Sequence, residues 1–387
     1  MRYTVRAGEH DRKLCPVKFT VPASEVAGIS KPAIVFDGGD ALPAQIHVCG
    51  EDAVVSFILD GLKAGEELNF CVAEAPVNTK PVPSLEAVLT DKTVDIISNG
   101  KKYNHYYFGT DLAKPYMGPW FDQYGSQITR LDFQIKEHPH HRSLWFSHGN
   151  VNGVDNWNES PDHGYIRTQK IDGIENGDAY VRFTAHNLWT KHDESIPLCT
   201  EHNTITMYNT GDSVRMLDVE LTLRADFCDV TLGTTKEAGP IAVRVNDSLT
   251  VKNGGYFKTG VGTAKEAEVW MHRAPWCDYY GTQNGHVCGA AIFDSEENEN
   301  YPTFWHARDY GLFAPNNFYK LGDRVIKKGE SLTFKYRVLF HSGNTEDADV
   351  SGHYLNFISM PVVTPENVED ESKKTLSGAE TDAKYKK

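Results

Sequence analysis

Apolar and polar positions alternate along most of this chain with the period of β-strands. Over residues 1–90 the apolar runs are short: Tyr3–Arg6, Val17–Val21, Ala33–Phe36, Ala44–Val48, Val54–Leu59 and Leu68–Ala73. Turn signals such as Asp37-Gly38-Gly39-Asp40 and Asp60-Gly61 separate them. Short strands with such turns predict a small N-terminal β-sandwich domain. Pro76–Pro83, with three prolines, reads as a linker.

Residues 91–345 continue in the same manner. Thr93–Ile97 and Tyr103–Phe108 flank Asn99-Gly100, a hairpin signal. Leu112–Trp120 holds Pro115, Gly118 and Pro119 and reads as a loop. Further strands are predicted over Tyr180–Ala185, Thr200–Tyr208, Val214–Leu223, Ile241–Val245, Glu268–Trp270, Cys288–Phe293 and Leu332–Phe340. In Val214–Leu223 one face carries Val214, Met216, Asp218, Glu220 and Thr222, and the other Arg215, Leu217, Val219, Leu221 and Leu223. Such a strand covers a core on one side only. No helix-period segment exceeds about three turns. Residues 346–387 form a C-terminal extension, polar and expected to be disordered from about residue 365. The fold class is therefore all-β: a large antiparallel β-sandwich preceded by a small one.

Composition narrows the function classes. A net charge of -14 argues against nucleic acid and against an anionic membrane surface as partners. No apolar run approaches the roughly 20 residues of a spanning helix. The N-terminal Met-Arg-Tyr-Thr-Val-Arg lacks a signal-peptide core, so a cytoplasmic location is expected. Seven cysteines without a C-x-x-C pair suggest free thiols. With no Gly-x-Gly-x-x-Gly or P-loop, no nucleotide cofactor is expected. Nothing in the sequence fixes an oligomeric state.

One stretch breaks the pattern. Residues 137–157 hold four of the sixteen histidines (His138, His140, His141, His148) with Arg142, Trp145, Asp155 and Trp157. A core strand has no use for so many titratable groups, so this is a site segment. His138 and His140 have the His-x-His spacing of metal ligands, and a divalent metal is one expectation. General acid–base chemistry is the other, with Glu201 or Glu237 as carboxylate partner. Lys236, Glu237 and Arg244 cluster within nine residues. Trp305, His306, Arg308, Asp309 and Tyr310 form a third cluster, and Trp270–Trp276 with Asp278 and Tyr279 a similar one. Aromatics beside charged groups are the composition of sugar sites, because a pyranose packs its C–H face on a ring while its hydroxyls find polar partners. A small-molecule carbohydrate is the expected ligand.

The segment His138–Trp157 resembles the signature of a bacterial family of uncharacterised domains often labelled as the methane oxygenase PmoA. Val5–Arg12, Lys236-Glu237 before Arg244, Trp305–Phe313 and Arg337–Gly343 extend the resemblance. Ser143 stands where the family usually has Gly, and Asn150 where it often has Asp. The oxygenase label conflicts with the chain, since that subunit is an integral membrane protein. The resemblance implies a galactose-mutarotase-like super-sandwich acting on carbohydrates with His and Glu or Asp pairs.

These readings combine into a carbohydrate-active enzyme that cleaves a glycoside or a modified sugar, such as a keto-sugar, by hydrolysis or elimination. His140, His141 and His148 would act with Glu201 or Glu237. Arg142, Arg244 and Arg308 would bind hydroxyls or a carboxylate, Trp145, Trp157 and Trp305 would stack, and Asp155, Lys236, His306 and Asp309 would complete the site. A sugar epimerase or mutarotase is the second reading and a non-catalytic carbohydrate-binding protein the third. Convergence of the histidines and a glutamate on one cavity distinguishes catalysis from mere binding.

Overall fold

The computed structural model describes residues 1–133 and 137–366. The tail expected from about residue 365 lies, beyond Glu366, outside them.

Three large sheets account for most of the fold, and every ladder between named strands is antiparallel. The first has seven strands, in the order Cys15–Pro22, Asp52–Leu59, Ala41–Cys49, Pro32–Phe36, Glu67–Glu74, Arg2–Arg6 and Val362–Pro365. It encloses its own core around Tyr3, Phe57 and Phe70. Its last strand comes from the C-terminal extension, which crosses back to pair Val363 with Val5.

The other two sheets have eight strands each and face one another. We call them the site sheet and the back sheet. The site sheet runs Phe304–Ala307, Leu312–Asn316, Ala238–Arg244, Leu144–His148, Tyr116–Met117, Lys101–Tyr107, Thr93–Ser98 and Leu85–Leu89. The back sheet runs Tyr165–Glu175, Tyr180–Thr190, Pro197–Tyr208, Val214–Arg224, Ser331–Ser342, His286–Asp294, Trp276–Gln283 and Tyr256–Thr259. Their facing side chains make the main core. The all-β sandwich architecture follows from the alternation that sheet-on-sheet packing requires.

Period 2 also determines what reaches the far side of the site sheet. Leu144, Phe146, Ile241, Val243 and Phe313 point into the core. Trp145, Ala242, Leu312 and Ala314 point away from it, into a second apolar cluster with Tyr116 and Trp157. Register carries the same face across strands: Tyr116 lies opposite Trp145, Trp145 opposite Ala242, Arg244 opposite Leu312, and Ala314 opposite His306.

Several sequence expectations change. Residues 137–157 were not expected to supply a core strand, yet Leu144–His148 within them is a wholly buried one. His138 and Ser143 have positive φ and bend the chain into it. Phe304–Ala307, Leu312–Asn316 and Tyr165–Glu175 are strands that alternation did not reveal. Glu266–Val269 is a four-residue helix, where a strand from Glu268 was expected. Val214–Arg224 buries both faces at its start, with Leu217 and Val219 in the main core and Val214 and Met216 in a cluster that includes Val350 and Tyr354 of the helix Val350–Ile358. Covered on its outer side, that end needs no polar face.

Candidate functional site

The outer face of the site sheet carries the histidine cluster. Its floor is apolar and aromatic. The rings of Trp145 and Trp157 meet edge to face at 5.4 Å, and His141 lies parallel to Trp145 at 5.1 Å. His140 sits edge-on to His141 at 4.4 Å, and His306 is 6.3 Å from Trp157. The rings of His138, His141 and Tyr310 are nearly parallel, His138 being 4.8 Å from His141 and 4.9 Å from Tyr310.

Two cationic brackets hold this cluster. In the first, Arg244 and Arg130 are buried and both reach Glu137: Arg244 Nη2 donates to Oε2 at 3.2 Å and Arg130 Nη1 at 2.9 Å. Arg130 also donates to the carbonyls of Glu137 and His138 at 3.0 and 2.8 Å, fixing the turn that presents the histidines. Burial pushes the Glu137 carboxyl up, but Arg130 and Arg244 outweigh it and hold it at about 2. Arg244 lies over the Tyr310 ring at 4.8 Å, a cation–π geometry.

In the second bracket, Glu159 takes a bidentate fork from Arg142, at 2.5 and 2.8 Å. It also accepts from Lys114 Nζ at 3.1 Å. The same ammonium donates to the Trp157 carbonyl at 2.7 Å. Burial lowers Lys114 to about 8 despite Glu159. Glu159 is raised by burial and lowered more strongly by Arg142 and Lys114, to about 2.

These cations act on the imidazoles. Burial, then Lys114, lowers His140 to about 3. Burial, then His140, pushes His141 well below the ordinary histidine value. Burial, then Arg308, puts His306 at about 3. All three are neutral at pH 7. Arg244 Nη1 lies 3.3 Å from His141 Nδ1. A guanidinium can only donate, so Nδ1 accepts and the His141 proton resides on Nε2. His140 Nε2, Trp145 Nε1 and His306 Nδ1 are buried with no protein partner. Buried polar atoms are rarely left unpaired, and three on one small face mark a place for a polar ligand or ordered water.

The expected site residues divide accordingly. His138, His140, His141, Arg142, Trp145, Trp157, Arg244 and His306 gather on this face. Arg308 joins through Tyr310, 5.7 Å from its ring. His148 does not gather there: its Nε2 meets the Gly233 carbonyl at 3.0 Å, and its ring lines a small interior void with Trp189 and Leu221. Burial lowers it to about 4. Glu201 lies between the sheets, where Asn187 donates to it at 2.8 Å and Trp189 at 2.6 Å. Trp305 is core, with its indole N–H on the Ala274 carbonyl at 2.9 Å, since alternation sends it inward and His306 outward. Asp155 folds its own loop by accepting from the Trp157 and Asn158 amides. Glu237 is ion-paired to Lys236 at 3.3 Å and accepts from Thr235, at the margin. Asp309 turns toward Glu266, whose charge adds to burial in raising its carboxyl. The expected meeting of His148 and a glutamate with His140 or His141 is thus not found, and the convergence that was to mark catalysis fails for that set of residues.

Among the described residues no three His, Cys, Asp or Glu side chains group as metal ligands. The His138 and His140 rings are 5.8 Å apart at a steep angle, and His138 Nδ1 is engaged by Glu137.

Lys114, Arg130, Glu137 and Glu159 were not singled out from the sequence. Burial makes Lys114 and Arg130 conspicuous, and bonds from buried arginines do the same for Glu137 and Glu159. Ser143 was noticed for a different reason, and its φ of 55° explains why glycine suits that position. Its hydroxyl meets Thr129 at 2.7 Å. Asn150 caps a turn by accepting from the Gly153 amide and stands apart from the histidines.

Two solved structures resemble the chain over 94% of its length at 8% identity: a glycosyl hydrolase family 38 protein from Enterococcus faecalis, TM-score 0.48, and an alpha-mannosidase from Enterococcus faecalis V583, TM-score 0.49. The chain spans 47% and 45% of their lengths, and likeness at this level carries no functional argument. No curated protein matches. A family model described as a family of unknown function, DUF6807, matches residues 93–354, which contain the back sheet, the site sheet except its edge strand Leu85–Leu89, and all the gathered histidines. The chain belongs to the DUF6807 family.

Proposed function

We propose that the outer face of the site sheet is the active site of a carbohydrate enzyme that removes a proton beside a carbonyl of an oxidised sugar. Elimination of a glycosidic substituent would follow: the enolate re-forms the carbonyl as a carbon–carbon double bond forms and the C–O bond breaks, and the leaving oxygen takes the proton held by His140. The carrying observation is the pairing of two unlike neutral imidazoles. His140 leaves Nε2 buried without a protein partner, able to serve as a base in its Nδ1–H tautomer, while His141 is locked as an Nε2–H donor.

The roles follow from those states. His140 takes the C–H proton. His141 donates to the carbonyl oxygen as it becomes an enolate. Lys114 and Arg142 stand beside His140, so negative charge developing on the substrate is met by fixed cations. That charge also raises the proton affinity of His140 from its low resting value, because it opposes the Lys114 field. Trp145 and Trp157, buried beneath the imidazoles, back them and hold their rings in place. Glu137 and Glu159 are both held ionised by arginines and serve to orient the cations. Hydrolysis by two carboxylates needs one of them to hold a proton, and neither does at neutral pH.

The test is a set of glycosides and the matching keto-glycosides incubated with wild type and His140→Ala and followed by NMR. Consumption of keto-glycosides, slowed about 100-fold or more in His140→Ala, is expected. Equal consumption of plain glycosides, or no effect of the substitution, contradicts the reading.

A further inference from the structure

Beside the histidine face lies a groove of about 860 Å³, lined by Tyr256, Lys265, Glu266, Trp270, Arg308 and Asp309 among others. That volume is several times what one sugar ring fills, and it belongs to a different wall from the histidines. Resting on the reading above, we propose that this groove is a second subsite, which takes a neutral pyranosyl residue on the far side of the bond to be broken.

Continuity comes from Arg308. Its guanidinium lies 5.9 Å from the Trp270 ring on one side and 5.7 Å from the Tyr310 ring on the other. Tyr310 is in turn the ring parallel to His138. A ligand that crosses Arg308 therefore passes directly from the groove to the imidazoles.

The chemistry fits a neutral polyol. Trp270 offers a ring to a pyranose C–H face, and its Nε1 is buried with no partner. Arg308 Nε stands 3.4 Å from Glu266 Oε1 without hydrogen-bond geometry, and Glu266 Oε2 accepts from the Asp309 amide, so Glu266 Oε1 and the terminal guanidinium nitrogens of Arg308 keep capacity for hydroxyls. Burial, with the nearby Glu266 charge, raises the Asp309 carboxyl. Lys265 and Arg308 balance Glu266 and Asp309, so the groove favours neither anion nor cation. The loop that carries Trp270 is fixed, since the Met271 amide donates to the Trp305 carbonyl at 2.6 Å and Trp305 is core.

Binding can be measured apart from turnover by calorimetry in the His140→Ala background. The probes are neutral gluco- and galacto-disaccharides and the corresponding methyl monosaccharides. Tighter binding of at least one disaccharide than of its methyl glycoside is expected. Trp270→Ala should remove that advantage, about tenfold, and leave methyl glycoside affinity unchanged. Trp270→Phe, which keeps a ring and the fold, should retain most of it. Equal affinity for the two probes, or an equal loss for both in Trp270→Ala, overturns the subsite. If disaccharide preference through Trp270 persists while no keto-glycoside is consumed by wild type, the histidine reading fails and the groove stands.

Discussion

Two buried polar clusters lie on opposite sides of the site sheet. Outside it, His140, His141 and His306 meet Arg142, Arg244 and Lys114 over a tryptophan floor. Inside it, Glu201 sits between the sheets with Asn187, Trp189 and Tyr106. Both contain strongly shifted titratable groups, so shift alone does not separate them. Glu201 is raised by burial to about 7, against the donors that would keep it ionised. Its carboxylate oxygens are each bonded to fixed core side chains, and no cation pairs with it. The outer cluster instead concentrates fixed positive charge, locks one imidazole tautomer and leaves the other imidazole unpaired. The inner carboxylate is met by the protein's own donors, although the Asn203 side chain beside it has no hydrogen-bond partner. The outer imidazoles His140 and His306 keep unpaired nitrogens, which the proposed substrate would engage.

The widest separation between the two should appear in turnover. His140→Ala is expected to lower kcat on an oxidised sugar by about 100-fold or more, and Glu201→Gln to leave it largely intact. Comparable losses from both would erase the distinction.

Stability should separate them in the opposite sense. Glu201 holds its proton up to about 7 in the fold, against 4.5 for the ordinary group. Between these values the folded state keeps a proton that the unfolded state has released. Wild-type stability should therefore fall, relative to Glu201→Gln, as pH rises from 4.5 to 7. At 1.36 kcal/mol per unit, the difference reaches at most about 3 kcal/mol. Thermal melts of the two proteins across that window measure it, and contributions from the histidines cancel in the comparison. A difference independent of pH would show that Glu201 is ionised throughout.

A smaller effect tests the electrostatics of the outer cluster. Lys114 contributes to the low His140 value, so Lys114→Met should move His140 titration, read from its ring NMR signals, upward toward 6.5. The catalytic pH profile of wild type should keep its acid limb below pH 5, since His140 stays neutral down to about 3. Its alkaline limb should lie near 8, where Lys114 loses its charge. Last, His148→Gln should cost only about 1 kcal/mol through its bond to the Gly233 carbonyl and leave turnover unchanged.

The sequence showed the sandwich because period 2 survives wherever one face meets a core and the other meets water. It concealed Leu144–His148, where both faces are buried and Ser147 and His148 stand among apolar neighbours. It marked the histidine segment by composition, but not which members act together. Trp305 and His306 are adjacent, and only the register of Phe304–Ala307 against Leu312–Asn316 sends one inward and the other to the site. Glu201 was expected as a carboxylate partner for the histidines of the site segment, yet strand alternation turns it in between the sheets. Arg130 and Lys114 carry no local pattern at all, because what makes them functional is burial beside groups far away in the chain.

The central claim is proton abstraction by His140. It is tested most directly by incubating a keto-sugar with the protein in deuterium oxide and following the C–H signals beside the carbonyl by NMR. Loss of that C–H signal, by exchange or by elimination, is expected with wild type, and its persistence in His140→Ala. Product that retains the original hydrogen at that carbon, or undiminished loss of the C–H in His140→Ala, would contradict it.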